Sequence, residues 1–175
     1  EEYERIARMV GDMLFLAKAE EHALAHATEA VELAREADAL RDFYEALAEE
    51  RGIRIQRTGE ATVRGDRLML RRAVSNLLSN ALRHTPDGGR IALRIESAPD
   101  CVRLAVSNEG EPIAPDQLER IFERFHRASP RRDRHGEGAG LGLAITRSIV
   151  RAHGGEIAAR SEGGVTTLSI TLPKV

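Results

Sequence analysis

The chain has 175 residues, of which 42% are hydrophobic and 31% are charged, and its formal net charge is −2. This length suits one domain with a sizeable core and a short appendage, and the near-neutral balance gives no reason to expect nucleic acid as a partner. The single cysteine excludes an internal disulfide framework, and no apolar stretch is long enough to span a bilayer.

The first 19 residues predict an amphipathic helix that belongs to a bundle. Its apolar residues recur at alternating steps of three and four, the seam spacing of a coiled coil: Tyr3, Ile6, Val10, Met13 and Ala17. We expect this helix to pack against partner helices, and docking on its own domain is the less favoured alternative. The helical pattern is already under way at residue 1, so we expect the chain to be a fragment.

Two further amphipathic helices follow a less patterned connection at residues 20–30. The first runs over residues 31–50, and its predicted apolar face comprises Leu33, Ala37, Leu40, Phe43, Tyr44 and Leu47. The second extends from an N-cap at Asp66 to about His84.

Short alternating segments predict the strands, at 53–57, 61–64, 90–97, 102–107, 156–160 and 165–172. The first two lie around a turn at Thr58–Glu60, and the last four form two hairpins. A short helix is expected at 116–122. These elements predict an α/β fold, a two-layer sandwich of a five-stranded mixed sheet and three helices, preceded by a helical stalk.

A glycine-rich stretch, GEGAGLGL at Gly136–Leu143, precedes an apolar run that predicts the last helix. Backbone N–H groups at a helix N-terminus favour phosphate, and glycine lets them approach it closely. Neither the dinucleotide fingerprint nor a P-loop is present. The stretch therefore predicts a nucleotide site of another kind, with a plain connector as the alternative.

A polar stripe on the helix 66–84 is the second candidate site. Asn76, Asn80 and Arg83 recur on one face, and His84 is adjacent. An Asn oxygen suits Mg²⁺, and an Arg guanidinium binds phosphate oxygens in a forked geometry. From these residues alone, a solvated polar face is an equally good interpretation.

Four segments resemble, in order, the motifs of the ATP-binding domain of bacterial sensor histidine kinases. SNLLSNALRHTPDGG resembles the N box, VSNEGEPIAP the first glycine box, IFERFHRA the F box, and GEGAGLGLAITRSIVRAHGGEI the second glycine box. The stalk segment MVGDMLFLAKAE resembles the end of the second dimerisation helix. The amino-acid sequence of these motifs is most similar to that of the heavy-metal (copper/silver) sensor branch.

The resemblance implies a domain plan and an activity. Residues 1–19 would end the dimerisation helix, 20–31 would be a linker, and 32–175 would be the catalytic domain of histidine-kinase/gyrase type. An ATP-dependent protein histidine kinase transfers the γ-phosphoryl group to a dimerisation-helix histidine, for relay to an Asp of a response regulator. The implied whole protein is a homodimeric sensor whose cytoplasmic portion, below a bacterial inner membrane, includes this chain. No histidine here has the phosphoacceptor context, so we expect the fragment to bind Mg-ATP without phosphorylating itself.

The resemblance also assigns site residues. Asn80 would bind Mg²⁺, and Asn76 would support the metal and phosphates. Phosphate contacts would come from Arg83, His84 and Arg127, of which Arg83 and Arg127, with Asn76, would be catalytic. Asn108 and Gly110 would face the adenine, and Ile113 would also contact the nucleotide. Phe122 and Phe125 would anchor a lid. Four glycines would shape the lid and the helix entry, namely Gly136, Gly138, Gly140 and Gly142, and Ala139 and Leu141 would also contact the nucleotide.

Two residues depart from the first glycine box. Asn108 stands where the family has an Asp that accepts the adenine amino proton, and Pro112 replaces a glycine. A neutral amide oxygen still accepts that hydrogen bond but without charge assistance, so we expect modest ATP affinity. Asn108 is also the feature that favours a degenerate, non-catalytic module.

Two enzymes of the same fold are further alternatives. ATP hydrolases of gyrase, mismatch-repair and chaperone type carry a Glu general base where this chain has Asn76, and an amide cannot accept that proton. Anti-sigma serine kinases share the motifs but lack a bundle-type helix before the domain. The stalk therefore favours the sensor kinase.

Overall fold

The computed structural model describes residues 2–20, 28–126 and 140–174. The helices are α1 (Glu2–Glu20), α2 (Leu33–Glu50), α3 (Arg67–His84) and α4 (Gly142–Ala152). The strands are β1 (Glu29–Glu32), β2 (Arg54–Thr58), β3 (Thr62–Gly65), β4 (Arg90–Ser97), β5 (Cys101–Glu109), β6 (Glu156–Glu162) and β7 (Val165–Pro173). Within the described part of the chain, none of the helices has the length and apolar character needed to cross a bilayer.

The predicted five-stranded mixed sheet is confirmed, with the strand order β2-β4-β5-β7-β6. β2 runs parallel to β4, and the other neighbours are antiparallel. Alternate residues of the central strands are buried against α2, α3 and α4, as expected for a sheet with one covered face. The buried apolar residues are Ile91, Leu93, Ile95, Val102, Leu104, Val106, Leu168, Ile170 and Leu172.

The segment predicted as a strand at 61–64 does not join the large sheet. It forms β3, which pairs with β1 in a separate two-stranded antiparallel sheet. β1 combines Glu29 and Ala30, at the end of the expected connection, with Val31 and Glu32, which were predicted to begin the helix 31–50 but precede α2. Only Val31 of its four residues is buried, so it carries no alternation that could have predicted a strand. This pairing joins Glu29–Glu32 to the folded unit.

The helix 66–84 begins as predicted, because the Asp66 carboxylate accepts a hydrogen bond of 3.0 Å from the Met69 N–H. The predicted apolar face of α2 is wrong at Phe43 and Leu47, which are 73% and 47% exposed. The stripe turned to the core instead follows Leu33, Ala37, Leu40, Tyr44 and Ala48. Phe43 and Leu47 each precede a residue of that stripe and are therefore rotated about 100° away from it.

One carboxylate is buried between α2 and α3. Glu36 accepts a hydrogen bond of 2.6 Å from Arg67 Nε, and Arg71 lies 3.6 Å from its other oxygen. The hydrogen bond and charge of Glu36 raise the pKa of Arg67 above its usual value. The two partly exposed arginines compensate the buried negative charge, whereas burial of an unpaired carboxylate would be strongly unfavourable.

The stalk helix α1 docks on its own domain, the alternative that the spacing disfavoured. Leu16 is only 2% exposed and belongs to an apolar cluster with α3 and α4. Asp12 forms a salt bridge with Arg72 of α3, whose guanidinium lies 4.6 Å from the centroid of the Phe15 ring. The seam residues remain exposed: Tyr3, Ile6, Val10 and Met13.

Candidate functional site

The site is built on the face of α3 that the sheet does not cover. The buried stripe of α3 packs into the core, and Asn76 and Asn80 lie half-buried, one helical turn apart. Among the residues that the structure describes, no hydrogen bond is made by the Asn80 side chain. Its amide is therefore available to a ligand.

Asn76 joins the middle of α3 to the first turn of α4. Its amide nitrogen donates to the Gly142 carbonyl at 3.0 Å and to Thr146 Oγ1 at 3.3 Å. The Thr146 hydroxyl also donates to that carbonyl, at 2.9 Å. The N box and the second glycine box, 66 residues apart at this contact, thus meet directly.

Residues 140–141, here called the glycine turn, lie immediately before α4 and are held by Phe125, one of the two residues predicted to anchor a lid. Phe125 N–H donates to the Gly140 carbonyl at 3.0 Å. Gly140 has a φ of 69°, and an added Cβ would lie 3.0 Å from Phe125 backbone atoms, so glycine is required there. Phe125 itself has a φ of 59° and is exposed, whereas Phe122 and Leu141 are buried.

Four predicted site residues lie outside the described part of the chain: Arg127, Gly136, Gly138 and Ala139. Their assignments stay predictions.

The predicted adenine contacts cluster at the end of β5. Asn108 is buried, and its amide nitrogen donates to the Glu109 carbonyl at 3.0 Å, which leaves its oxygen as an acceptor. An added Cβ on Gly110 would lie 2.5 Å from the His84 carbonyl oxygen. Only glycine therefore lets β5 approach the end of α3 this closely. Ile113 N–H donates to Ser161 Oγ at 2.9 Å.

Basic side chains are present on both α3 and α4. Arg83 and His84 are exposed in the last turn of α3, where positive charge also favours the helix dipole. On α4, burial and then the charge of Arg151 lower the pKa of Arg147. Arginine stays protonated despite such a shift, so both helices present positive charge.

Two buried threonines at the site were missed by the sequence reasoning. Thr146 lies beside Asn76, and Thr166 lies opposite Asn108 in the β5–β7 register, with its hydroxyl 3.0 Å from Ser161 Oγ. Both are buried. The available signal was a hydroxyl at a core position of an apolar pattern, which costs free energy unless it is hydrogen-bonded.

A cation at this site would have few protein ligands. Within the described ranges, no group of three or more His, Cys, Asp or Glu residues could hold a metal ion. The half-buried Asn80 amide fits a cation that keeps several waters and shares ligand phosphates, which is the coordination typical of Mg²⁺.

Comparison with known proteins decides the family. The profile described as histidine kinase-, DNA gyrase B-, and HSP90-like ATPase matches residues 65–175. The chain belongs to this family. The match covers α3, the glycine turn and α4, so the contacts described above lie in an ATPase domain.

Sensor histidine kinases are among the relatives of this chain. The chain is 51% identical over 174 residues to sensor histidine kinase CusS of Escherichia coli K12, covering 99% of this chain and 36% of that protein. It is 46% identical to the probable sensor protein PcoS of Escherichia coli, covering 98% and 37%. The chain thus spans little more than a third of these relatives. They confirm the predicted resemblance to sensor histidine kinases of the heavy-metal branch.

Solved structures confirm the fold. The mycobacterial sensor histidine kinase MprB is 32% identical, with a TM-score of 0.71, over 84% of this chain and 97% of that one. Histidine kinase ThkA in complex with the response regulator TrrA shares the fold at a TM-score of 0.73 and 23% identity, over 97% of this chain and 49% of that one.

Proposed function

We propose that this chain is the ATP-binding kinase domain of a two-component sensor histidine kinase and that it binds Mg-ATP between α3, the end of β5 and the glycine turn. The observation that carries the proposal is the bond from the Asn76 amide to the Gly142 carbonyl. It brings the amide stripe of α3 to the N-terminus of α4, where unpaired N–H groups and the helix dipole favour phosphate.

Each group would have a distinct task. The Asn80 oxygen would bind Mg²⁺, which when bound neutralises charge on the transferring phosphates. Arg83 and His84 would bind phosphate oxygens, with Arg127 directed to the γ-phosphate. The Asn108 side-chain oxygen would accept a hydrogen bond from the adenine amino group, because the side-chain nitrogen already donates to the Glu109 carbonyl. Catalysis would then be mostly positioning and charge neutralisation.

The whole protein is proposed to be a homodimeric inner-membrane sensor with this chain on the cytoplasmic side. The γ-phosphoryl group would pass to a histidine on a dimerisation helix and then to an Asp of a response regulator. The exposed seam of α1 supports pairing with a second protomer, and the complex of ThkA with TrrA supports the regulator. We propose that residues 1–19 end the dimerisation helix and that the catalytic domain begins at β1, because β1 pairs with β3.

A hydrolase of the same family is not supported. The position that would need a general base is Asn76, whose amide cannot take up a proton. Its nitrogen also donates to the Gly142 carbonyl, and an ionised carboxylate at the same place could not make that bond.

The proposal is tested by calorimetric titration with a non-hydrolysable ATP analogue, with and without Mg²⁺. We expect binding that strengthens with Mg²⁺ and that weakens at least about tenfold in Asn80→Ala, as is typical when metal-site residues are removed. Ser79→Ala is the matched control, since Ser79 is the half-buried neighbour whose hydroxyl donates to the backbone carbonyl of Asn76, at 3.2 Å. Equal affinities for both variants would refute the role of Asn80, and no binding by the unsubstituted chain would select the degenerate module.

A further inference from the structure

The hydrogen bond that joins Asn76 of α3 to Gly142 of α4 can be donated in one direction only. The oxygen and nitrogen of an Asn amide are nearly the same in shape, so their assignment follows from their partners. The Gly142 carbonyl can only accept, so the group 3.0 Å from it must be the NH₂ of Asn76. The Thr146 hydroxyl gives its one hydrogen to the same carbonyl and is left to accept from Asn76.

Thr146 is an unusual residue for its position. It is completely buried in a helix whose other buried residues are apolar: Ala144, Ile145, Ile149 and Val150. A valine would fill the same volume without a polar group. The hydroxyl is accommodated because it takes part in two of the three hydrogen bonds of this network, once as donor and once as acceptor.

We propose that Thr146 is a positioning residue that, with the Gly142 carbonyl, holds the Asn76 amide with its nitrogen toward α4 and its oxygen away from it. This inference rests on the proposed function. Asn76 then meets the nucleotide side as an acceptor. An acceptor suits a water molecule on a hydrated cation, and it does not suit a phosphate oxygen, which needs a donor.

The orientation can be measured without nucleotide, by hydrogen exchange of the ¹⁵N-labelled Asn76 side-chain amide in solution NMR. We compare the unsubstituted chain with Thr146→Val, which keeps the shape and loses the hydroxyl, and with Thr146→Ser, which keeps the hydroxyl. Exchange should be about 2- to 10-fold faster in the valine variant, the range for one hydrogen bond, and near the original rate in the serine variant. Equal exchange in the valine variant and the unsubstituted chain would overturn the proposal.

The second readout is affinity for the ATP analogue with Mg²⁺ and with a chelator. Thr146→Val should weaken binding about 2- to 10-fold only when Mg²⁺ is present, and Thr146→Ser should restore it. If Thr146 merely fills space, the valine variant keeps its affinity and the serine variant loses it, which overturns the proposal. If the unsubstituted chain binds no analogue at all, the proposed function fails, and the exchange measurement still decides the orientation of Asn76.

Discussion

Replacing Leu16 by Ala tests whether α1 docks on the domain through one buried side chain. Leu16 is 2% exposed and packs with Ala73, Leu141 and Ile145. A buried Leu→Ala change costs about 2–5 kcal/mol from lost burial and the cavity that remains. We expect about 2–4 kcal/mol here, since the end of a docked helix can partly relax into the space.

Leu14→Ala is the matched control, because Leu14 lies on the same helix and is 60% exposed. A substitution at such a position usually changes stability by less than about 0.5 kcal/mol. Both variants make the same chemical change and the same small gain in helix propensity. The difference between them therefore isolates the docking contact.

Urea unfolding followed by far-UV circular dichroism is the appropriate assay, because the chain has no Trp. Amide hydrogen exchange of α1 by mass spectrometry shows whether the helix detaches before the domain unfolds, in which case protection is lost in α1 alone. Similar stability and similar α1 protection in the Leu14 and Leu16 variants would refute the docked arrangement.

Three other substitutions test single contacts. Asn108→Asp should bind the ATP analogue more tightly in calorimetry, because charge-assisted hydrogen bonds are roughly twice as strong as neutral ones; unchanged or weaker binding contradicts that role. Gly110→Ala should lower stability by about 1–3 kcal/mol in thermal unfolding, because the new Cβ would lie 2.5 Å from the His84 carbonyl oxygen. An unchanged melting temperature would show that the end of β5 shifts to make room for the methyl group. A double-mutant cycle of Asp12→Ala and Arg72→Met should give a coupling energy below about 1 kcal/mol, since both side chains are about one-third exposed. A larger value would show that this salt bridge is a main contributor to the docking of α1.

Local patterns predicted the elements that carry a strong period or a cap. The helix at Asp66 and the hairpins of alternating residues needed no distant partner to be recognised. The pairing of β2 with β4 is different, because it is a parallel contact across an intervening helix. β1 was missed for a related reason: four residues with one buried side chain form a strand only because β3 lies beside them.

The candidate site shows the same division. Glycines before an apolar run and amides along α3 were visible as residue types suited to phosphate and Mg²⁺. Their meeting point was not, because it depends on how α4 packs against α3, which brings Gly142 and Thr146 to Asn76. Only the fold shows that the Thr146 hydroxyl and the Asn76 amide share the Gly142 carbonyl.

The two interpretations of the stalk helix turn out to be compatible. The docked residue Leu16 and the seam residue Val10 lie roughly 120° apart around α1, and the seam residue Met13, which lies between them, is still 49% exposed. The seam spacing concerns one face of the helix and has no bearing on the neighbouring one, and pairing through that face stays a prediction. Because docking buries Leu16 and leaves the seam exposed, contact with the domain and pairing with a second helix do not compete for the same side chains.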